Sequence, residues 1–250
     1  MLLLGACVQA QMGPPIDVYD GFEGISLSNL WETSRFTPGA VELQSTFVRA
    51  GHSAIKITVR SKDTFEAGQN GNADSERDEL LEARRLTSRE GVGYESSWSM
   101  YVAGDFPIVP VRLVVAQWKQ FCDGDAKPCS DDSPVLAVRY SGGILRITQD
   151  IDHRRHILFE QKRDLRNHWL DLRFQVLFTP QKNGRIRVWL DGQPVVDFTG
   201  ITANLQSEAT GYAKPGRFYF KMGLYRNVML QPMTIYLDEY RKQQIVMEQP

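Results

Sequence analysis

The chain of 250 residues, 42% hydrophobic and 10% aromatic, is long enough for one sizeable core, and all-β domains of this length are commonly undivided. Lysine and arginine total 29 against 30 aspartates and glutamates, so no global field draws in a charged polymer and a general nucleic-acid binder is excluded. No run of about 18 or more apolar residues is present, which excludes a membrane-spanning helix.

The chain opens with "MLLLGACVQAQMGPP", which reads as the tail of an export signal: a leucine run, small residues, then a polar lead containing Pro and Gly. A charged n-region is missing, as it would be if the start codon were assigned too late. Leu4-Gly5-Ala6-Cys7 resembles the bacterial lipobox, in which the cysteine is lipidated, whereas Val8-Gln9-Ala10 fits an ordinary signal-peptidase site. Both readings stand, and both send the domain out of the cytoplasm, to the periplasm, to a lipid anchor on the outer membrane, or into the medium. Residues 1–15 are therefore expected to be a leader and short linker, and residues 16–250 a single domain acting as a monomer.

Alternation and turn punctuation dominate the remainder of the chain. Strands are predicted over 53–61, 94–104, 111–121, 135–150, 169–179, 185–199, 217–227 and 234–242. Gly142-Gly143 and Asp191-Gly192 each divide one of these stretches as a tight hairpin turn, where glycine accepts a positive φ, so neighbouring strands pair antiparallel. Residues 74–90, "DSERDELLEARRLTSRE", have helical propensity, but alternation offers a strand with Arg77, Glu79 and Leu81 on one face and Asp78, Leu80 and Glu82 on the other. A charged face of that kind meets solvent or lines a polar groove. Cys122 and Cys129 frame a short Gly/Pro-containing loop that lets them come within disulfide reach, and an oxidising compartment would close that bridge. Asp123, Asp125, Asp131 and Asp132 crowd the same loop and offer oxygen ligands for a structural calcium ion, although such loops are mostly just hydrated; no other metal or cofactor is expected.

Eight or more such strands predict an all-β sandwich of two antiparallel sheets, one curved into a concave groove suited to an extended polymer. In the strand "RFYFKMGLYRN", Tyr219, Lys221, Gly223 and Tyr225 point one way while Phe218, Phe220, Met222 and Leu224 face the core, and Gly223 is expected to leave room for a ligand to approach the backbone. In "VRLVVAQWKQF", Leu113 and Val115 run into Gln117 and Lys119 on one side, with Val114, Ala116 and Trp118 on the other.

"SERDEL", "AQWK" and "YFKMGLYRN", in that order, resemble the three motif strands of β-jelly-roll polysaccharide lyases, which carry R-[ST]-E-L, Q-[IV]-H and Y-F-K-x-G-x-Y in the alginate lyase group. "WSMYVAGDFP", "HWLDLRFQVLF", "GRIRVWLDGQPVVDF" and "TIYLDEYR" are similar to the heparin lyase I-like and glucuronan lyase groups, and the resemblance runs over residues 16–242. It implies a concanavalin-like jelly roll that cleaves an acidic, uronic-acid-containing polysaccharide by β-elimination. In such a reaction Arg77, Gln117 and Lys119 offset the charge of the sugar carboxylate, which makes the proton on C5 acidic enough to remove. A tyrosine lowered in pKa by neighbouring cations takes that proton as phenolate or gives one to the oxygen on C4 as phenol. The alginate lyase motif implies Tyr219 for this role, the heparin lyase spacing implies Tyr225, and Tyr219 is the first choice. Lys221 suits either phenol, and Lys221, Glu79, Arg226 and Arg84 are expected to bind the substrate.

Where relatives carry histidine two places after the glutamine, this chain has Lys119, a poor base unless buried, which shifts both proton transfers to tyrosine. His52, His153, His156 and His168 are the available imidazoles, and "DHRRH" is read as solvated surface. Two other classes compete. A glycoside hydrolase needs paired carboxylates across the scissile bond, and the E-x-D-x-x-E strand begun by Glu76 and Asp78 fails at Leu81. A non-catalytic carbohydrate-binding module would line the same curved sheet with Tyr, Trp and Arg without reacting.

Overall fold

The computed structural model describes residues 15–32, 36–63, 74–121, 134–205 and 216–247. The strands are β1 (Asp17–Asp20), β2 (Trp31–Glu32), β3 (Val41–Gln44), β4 (Ala54–Val59), β5 (Ser75–Glu82), β6 (Ser88–Arg89), β7 (Gly93–Val102), β8 (Leu113–Gln120), β9 (Leu136–Ser141), β10 (Ile144–Ile151), β11 (Arg154–Lys162), β12 (Trp169–Leu177), β13 (Gly184–Leu190), β14 (Gln193–Gly200), β15 (Arg217–Asn227) and β16 (Met233–Ile245). A back sheet runs β14-β13-β12-β7-β16-β4-β3, with β1 also on β16. A front sheet runs β11-β10-β9-β8-β15-β5-β2, with β6 also on β15. The pairings between these strands are antiparallel.

Three hairpins turn on two residues with positive φ: Gly142-Gly143 (58° and 76°), Asp152-His153 (49° and 62°) and Asp191-Gly192 (49° and 76°). That backbone matches the right-handed twist of the strands it joins. The first and third are the predicted turns, and the second puts part of "DHRRH" at a hairpin tip.

The two sheets close on an aromatic core. Trp98 of the back sheet stacks on Phe174 at 5.4 Å between centroids and meets Trp118 at 6.1 Å and Phe220 at 5.2 Å from the front sheet. Large rings of this kind bury the most apolar area per residue, and truncating one to alanine costs about 3–5 kcal/mol.

Residues 75–82 resolve as a strand because pairing overrides their helical propensity: β5 lies between β15 and β2 and exchanges ladder bonds with both. Its inner face is unusual for a core. Glu76, Asp78 and Glu82 are buried there beside Leu80. Glu76 pairs with Arg226 at 2.8 Å, Glu82 pairs with Lys242 at 2.8 Å and accepts the Tyr240 hydroxyl, and Asp78 accepts the Thr37 amide at 2.7 Å. Buried carboxylates persist when partners compensate their lost hydration, and two of these three have a cation. Glu76 and Asp78 thus face inward, away from any groove, which removes the carboxylate pair a hydrolase would need.

Candidate active site

The outward face of the front sheet follows from the register. Lys221 stands opposite Gln117 on β8 and Leu81 on β5, Tyr219 stands opposite Lys119, and Tyr225 stands opposite Arg77. Cross-strand partners share a face, so Arg77, Glu79, Gln117, Lys119, Tyr219, Lys221 and Tyr225 all project from the side opposite Trp118, Phe220 and Leu80. From Arg77 one row continues through Tyr225, Val114, Arg139 and Arg146 to Glu160, across six strands.

Tyr225 is clasped between guanidiniums. Arg77 lies over its ring at 4.1 Å and Arg112 at 4.4 Å, and Arg112 also donates a hydrogen bond to the phenolic oxygen at 2.7 Å. Burial pushes this phenol up, but the Arg112 hydrogen bond and the charges of Arg112 and Arg77 outweigh it and hold the hydroxyl below the ordinary phenol value. Arg139, the next cation in the row, is lowered to about 10 by burial and by the neighbouring charge of Arg155, partly offset by Asp150 at 3.5 Å.

Beside Tyr225 lies a second polar group. Gln117 Nε2 donates to Glu79 Oε1 at 2.5 Å, reaching across β15, and Lys221 Nζ is 3.8 Å from Glu79 Oε2. Gln117 is 2% exposed, Glu79 and Lys221 6% each, so these charges work in a largely dehydrated setting where electrostatic interactions are strong. Gly223 stands opposite Glu79 of this cluster, but not to admit a ligand. Its φ is +146°, and a Cβ there would come within 2.5 Å of the Asp78 carbonyl oxygen and 2.7 Å of the Glu79 Cα. The glycine is required by the close approach of β5 itself, at a point where the β15–β8 register slips between Met222 and Tyr225.

Other predicted residues fall elsewhere. Tyr219 packs on Phe121 at 4.6 Å, six residues and so roughly 20 Å along the strand from Tyr225. Arg226 is fully buried, held by Glu76 and by the Gln231 carbonyl at 2.6 Å, so it lies inside the sandwich and does not line the groove. Arg84 is exposed on the 3-10 turn Arg84–Leu86, beyond the end of β5. The parity expected for β8 fails at a bulge opposite Arg139 and Val138: Leu113 and Val115 join the core with Ala116, while Val114 turns outward. His153 and His156 belong to β10–β11, four strands from β15 and so about 19 Å away, and His52 and His168 precede back-sheet strands β4 and β12. These positions supply no imidazole beside Tyr225.

Arg112 and Arg139 were not picked out from the sequence. Arg112 falls in the stretch predicted as a strand over 111–121, where alternation sets it on the core side with Val114 and Trp118; it lies instead just before β8, and its Nε donates to the Asn227 side-chain oxygen at 2.7 Å. The expectations for Cys7, for the Cys122–Cys129 bridge and for the acidic loop lie outside the described residues. No helix among the described residues is long and apolar enough to cross a membrane.

Comparisons with known proteins give the family and the fold. A family model described as polysaccharide lyase matches residues 19–241. The endo-β-1,4-glucuronan lyase from the fungus Trichoderma reesei superposes with a TM-score of 0.71 at 18% identity, over 91% of this chain and 95% of that one. The cellulose induced protein Cip1 follows at 0.58 and 10% identity, over 90% and 96%. The alginate lyase AlgAT5 from polysaccharide lyase family 7 gives 0.55 and 14% identity, over 85% and 86%. No curated protein matches in sequence. The shared architecture is the concanavalin-like β-jelly-roll sandwich expected from the strand pattern.

Proposed function

The chain belongs to the polysaccharide lyase family, and from that premise we propose that it cleaves a uronic-acid-containing polysaccharide by β-elimination at the outward face of the front sheet, with Tyr225 moving the protons. The observation that carries this reading is the clasp on Tyr225: a phenol lowered in pKa between Arg77 and Arg112. Tyr225 is preferred to Tyr219 on that clasp, because position along the strand does not separate them: Glu79 stands opposite Gly223, two residues from Tyr225, and Gln117 stands opposite Lys221, two residues from Tyr219.

In the proposed reaction the sugar carboxylate lies against Arg77, Gln117 and Lys221, which offset its charge and the further charge that builds as C5 loses its proton. Glu79 holds the Gln117 amide in place. The Tyr225 phenolate takes the C5 proton, the C5 electron pair forms the C4=C5 double bond, and the C4–O bond breaks. The departing oxygen receives a proton from the same phenol, which returns to phenolate. One phenol serving both atoms needs C5–H and C4–O on one face of the ring, as in glucuronate and mannuronate but not in guluronate. Lys119, Arg84 and Tyr219 bind more distant sugars in this reading. Export, with Cys7 lipidated or removed with the leader, belongs to the same proposal and rests on the leader sequence; so does action as a monomer.

The test is incubation with glucuronan, polymannuronate, polyguluronate and heparin while the ultraviolet absorbance of the unsaturated product is followed. A rise with the first two supports the reading. Binding to the panel with no rise on any member overturns it in favour of a non-catalytic module.

A further inference from the structure

The outer face of the back sheet carries a trough that the reaction above does not use. One cross-strand row runs from Trp189 on β13 through Arg173, Ser97 and Arg241 to Tyr19 on β1. Alternation on β7 turns Ser97 and Ser99 outward between these longer side chains, and the short serines leave a cavity of about 680 Å³ along the strand. That volume lies in the range of small-molecule and sugar sites.

Its walls are built for a flat polar ring. On one side the Arg173 guanidinium lies on the Trp189 indole at 4.0 Å, an aromatic surface and a cation in one unit. On the other, Tyr19 donates its hydroxyl to Glu239 at 2.6 Å. Between them Asp171 is fixed by two bonds from Arg49, at 3.1 and 2.7 Å, and by the Ser99 hydroxyl at 2.7 Å, leaving ordered acceptors for sugar hydroxyls. Arg49, Arg173 and Arg241 face two lining carboxylates, Asp171 and Glu239. Among the described residues Arg173 has no carboxylate within salt-bridge distance, so this cation favours a sugar that brings its own.

We propose that this trough is a second binding site for uronate oligosaccharide, its carboxylate on Arg173, which the Trp189 indole backs. The proposal rests on the reading of the chain as a uronate lyase. The two sites open on opposite sides of the sandwich, so one straight stretch of polymer cannot fill both. The trough holds the enzyme on the polymer while the front sheet works.

Calorimetric titration of the Tyr225→Phe protein with a glucuronan trisaccharide tests this, with a neutral glucan trisaccharide as the second arm. Two sites are expected for the uronate, falling to one in Arg173→Ala and in Ser97→Tyr, which fills the floor. In the Tyr225-containing background the same two substitutions leave the rate on short oligosaccharides within about twofold and lower turnover on long polymer. Single-site binding unchanged by both substitutions overturns the proposal, as does equal occupancy of the trough by the neutral sugar. Two-site binding in a protein that yields no unsaturated product supports the trough and sinks the elimination chemistry alone.

Discussion

The guanidinium of Arg112 donates a hydrogen bond to the Tyr225 hydroxyl at 2.7 Å while its Nε is anchored on Asn227, so a loop residue controls the acidity of a phenol on a neighbouring strand. If the phenolate is the base, the reaction rate rises with pH through the Tyr225 titration, and a lowered phenol places that rise at lower pH. Arg112→Gln is expected to move the alkaline-going limb of the kcat/KM profile to higher pH, with Arg112→Lys between the two. An unshifted limb with reduced amplitude would assign Arg112 to substrate binding only.

Replacement of each candidate phenol separates the two tyrosines. Tyr225→Phe is expected to lower kcat by about 10²–10⁴-fold with binding retained, since that is the usual share of a positioned acid or base. Tyr219→Phe, on the far side of Lys221, should leave kcat within a few-fold and act mainly on KM. The reverse ranking in unsaturated-product assays would return the chemistry to Tyr219.

Lys242 and Glu82 form an ion pair inside the sandwich, at 0% and 1% side-chain exposure, with Lys242 also donating to the Leu86 carbonyl at 2.6 Å. Removing only the cation leaves a buried carboxylate. Lys242→Met should therefore cost about 3–5 kcal/mol in denaturant unfolding, and Lys242→Met with Glu82→Gln should recover part of that loss. Equal destabilisation in single and double variants would show that the pair is not coupled.

Asp78 gives a pH dependence of stability. Burial raises its carboxyl from 3.8 to about 7, against the Thr37 amide that lowers it, and its Oδ2 has no partner among the described residues. Between these values the folded protein holds a proton that the unfolded chain has released, so this group's contribution to stability falls as pH rises from about 4 to about 7. Asp78→Asn should be more stable than the parent at pH 8, by roughly 1–3 kcal/mol, with the gain vanishing near pH 4. Thermal unfolding at both pH values decides it, and a gain independent of pH would show that the carboxyl does not titrate in this window.

Strand by strand, the parts of this fold that follow period-two alternation were legible in the sequence, and so were the Gly142-Gly143 and Asp191-Gly192 turns. The short edge pieces β1, β2, β3 and β6 were not, because two to four residues carry too little pattern, and neither was the nine-residue edge strand β11, which buries no residue and so shows no alternation. At the candidate site, the facing of Arg77, Gln117, Lys221 and Tyr225 follows from parity and register. The bulge that turns Val114 outward cannot be read from one strand, because it is a relation to Arg139 and Val138 on the next. Arg226 shows the converse. Parity places it with Phe218, Phe220, Met222 and Leu224 on the core side, and only its charge suggested the groove, since a buried guanidinium requires a partner that the sequence does not point to.

That partner has a mechanical effect on the surface it never touches. Arg226 pairs with Glu76 directly behind the place where Tyr225 pairs with Arg77. Sliding β15 by one residue against β5 would turn the Arg226 guanidinium out to water, leave the Glu76 carboxylate buried without its cation, and drive the Tyr225 phenol into the apolar interior. The interior pair therefore works as a detent: it fixes the alignment of two strands to a single setting, and the proposed catalytic face inherits its precision from a contact on the other side of the sheet.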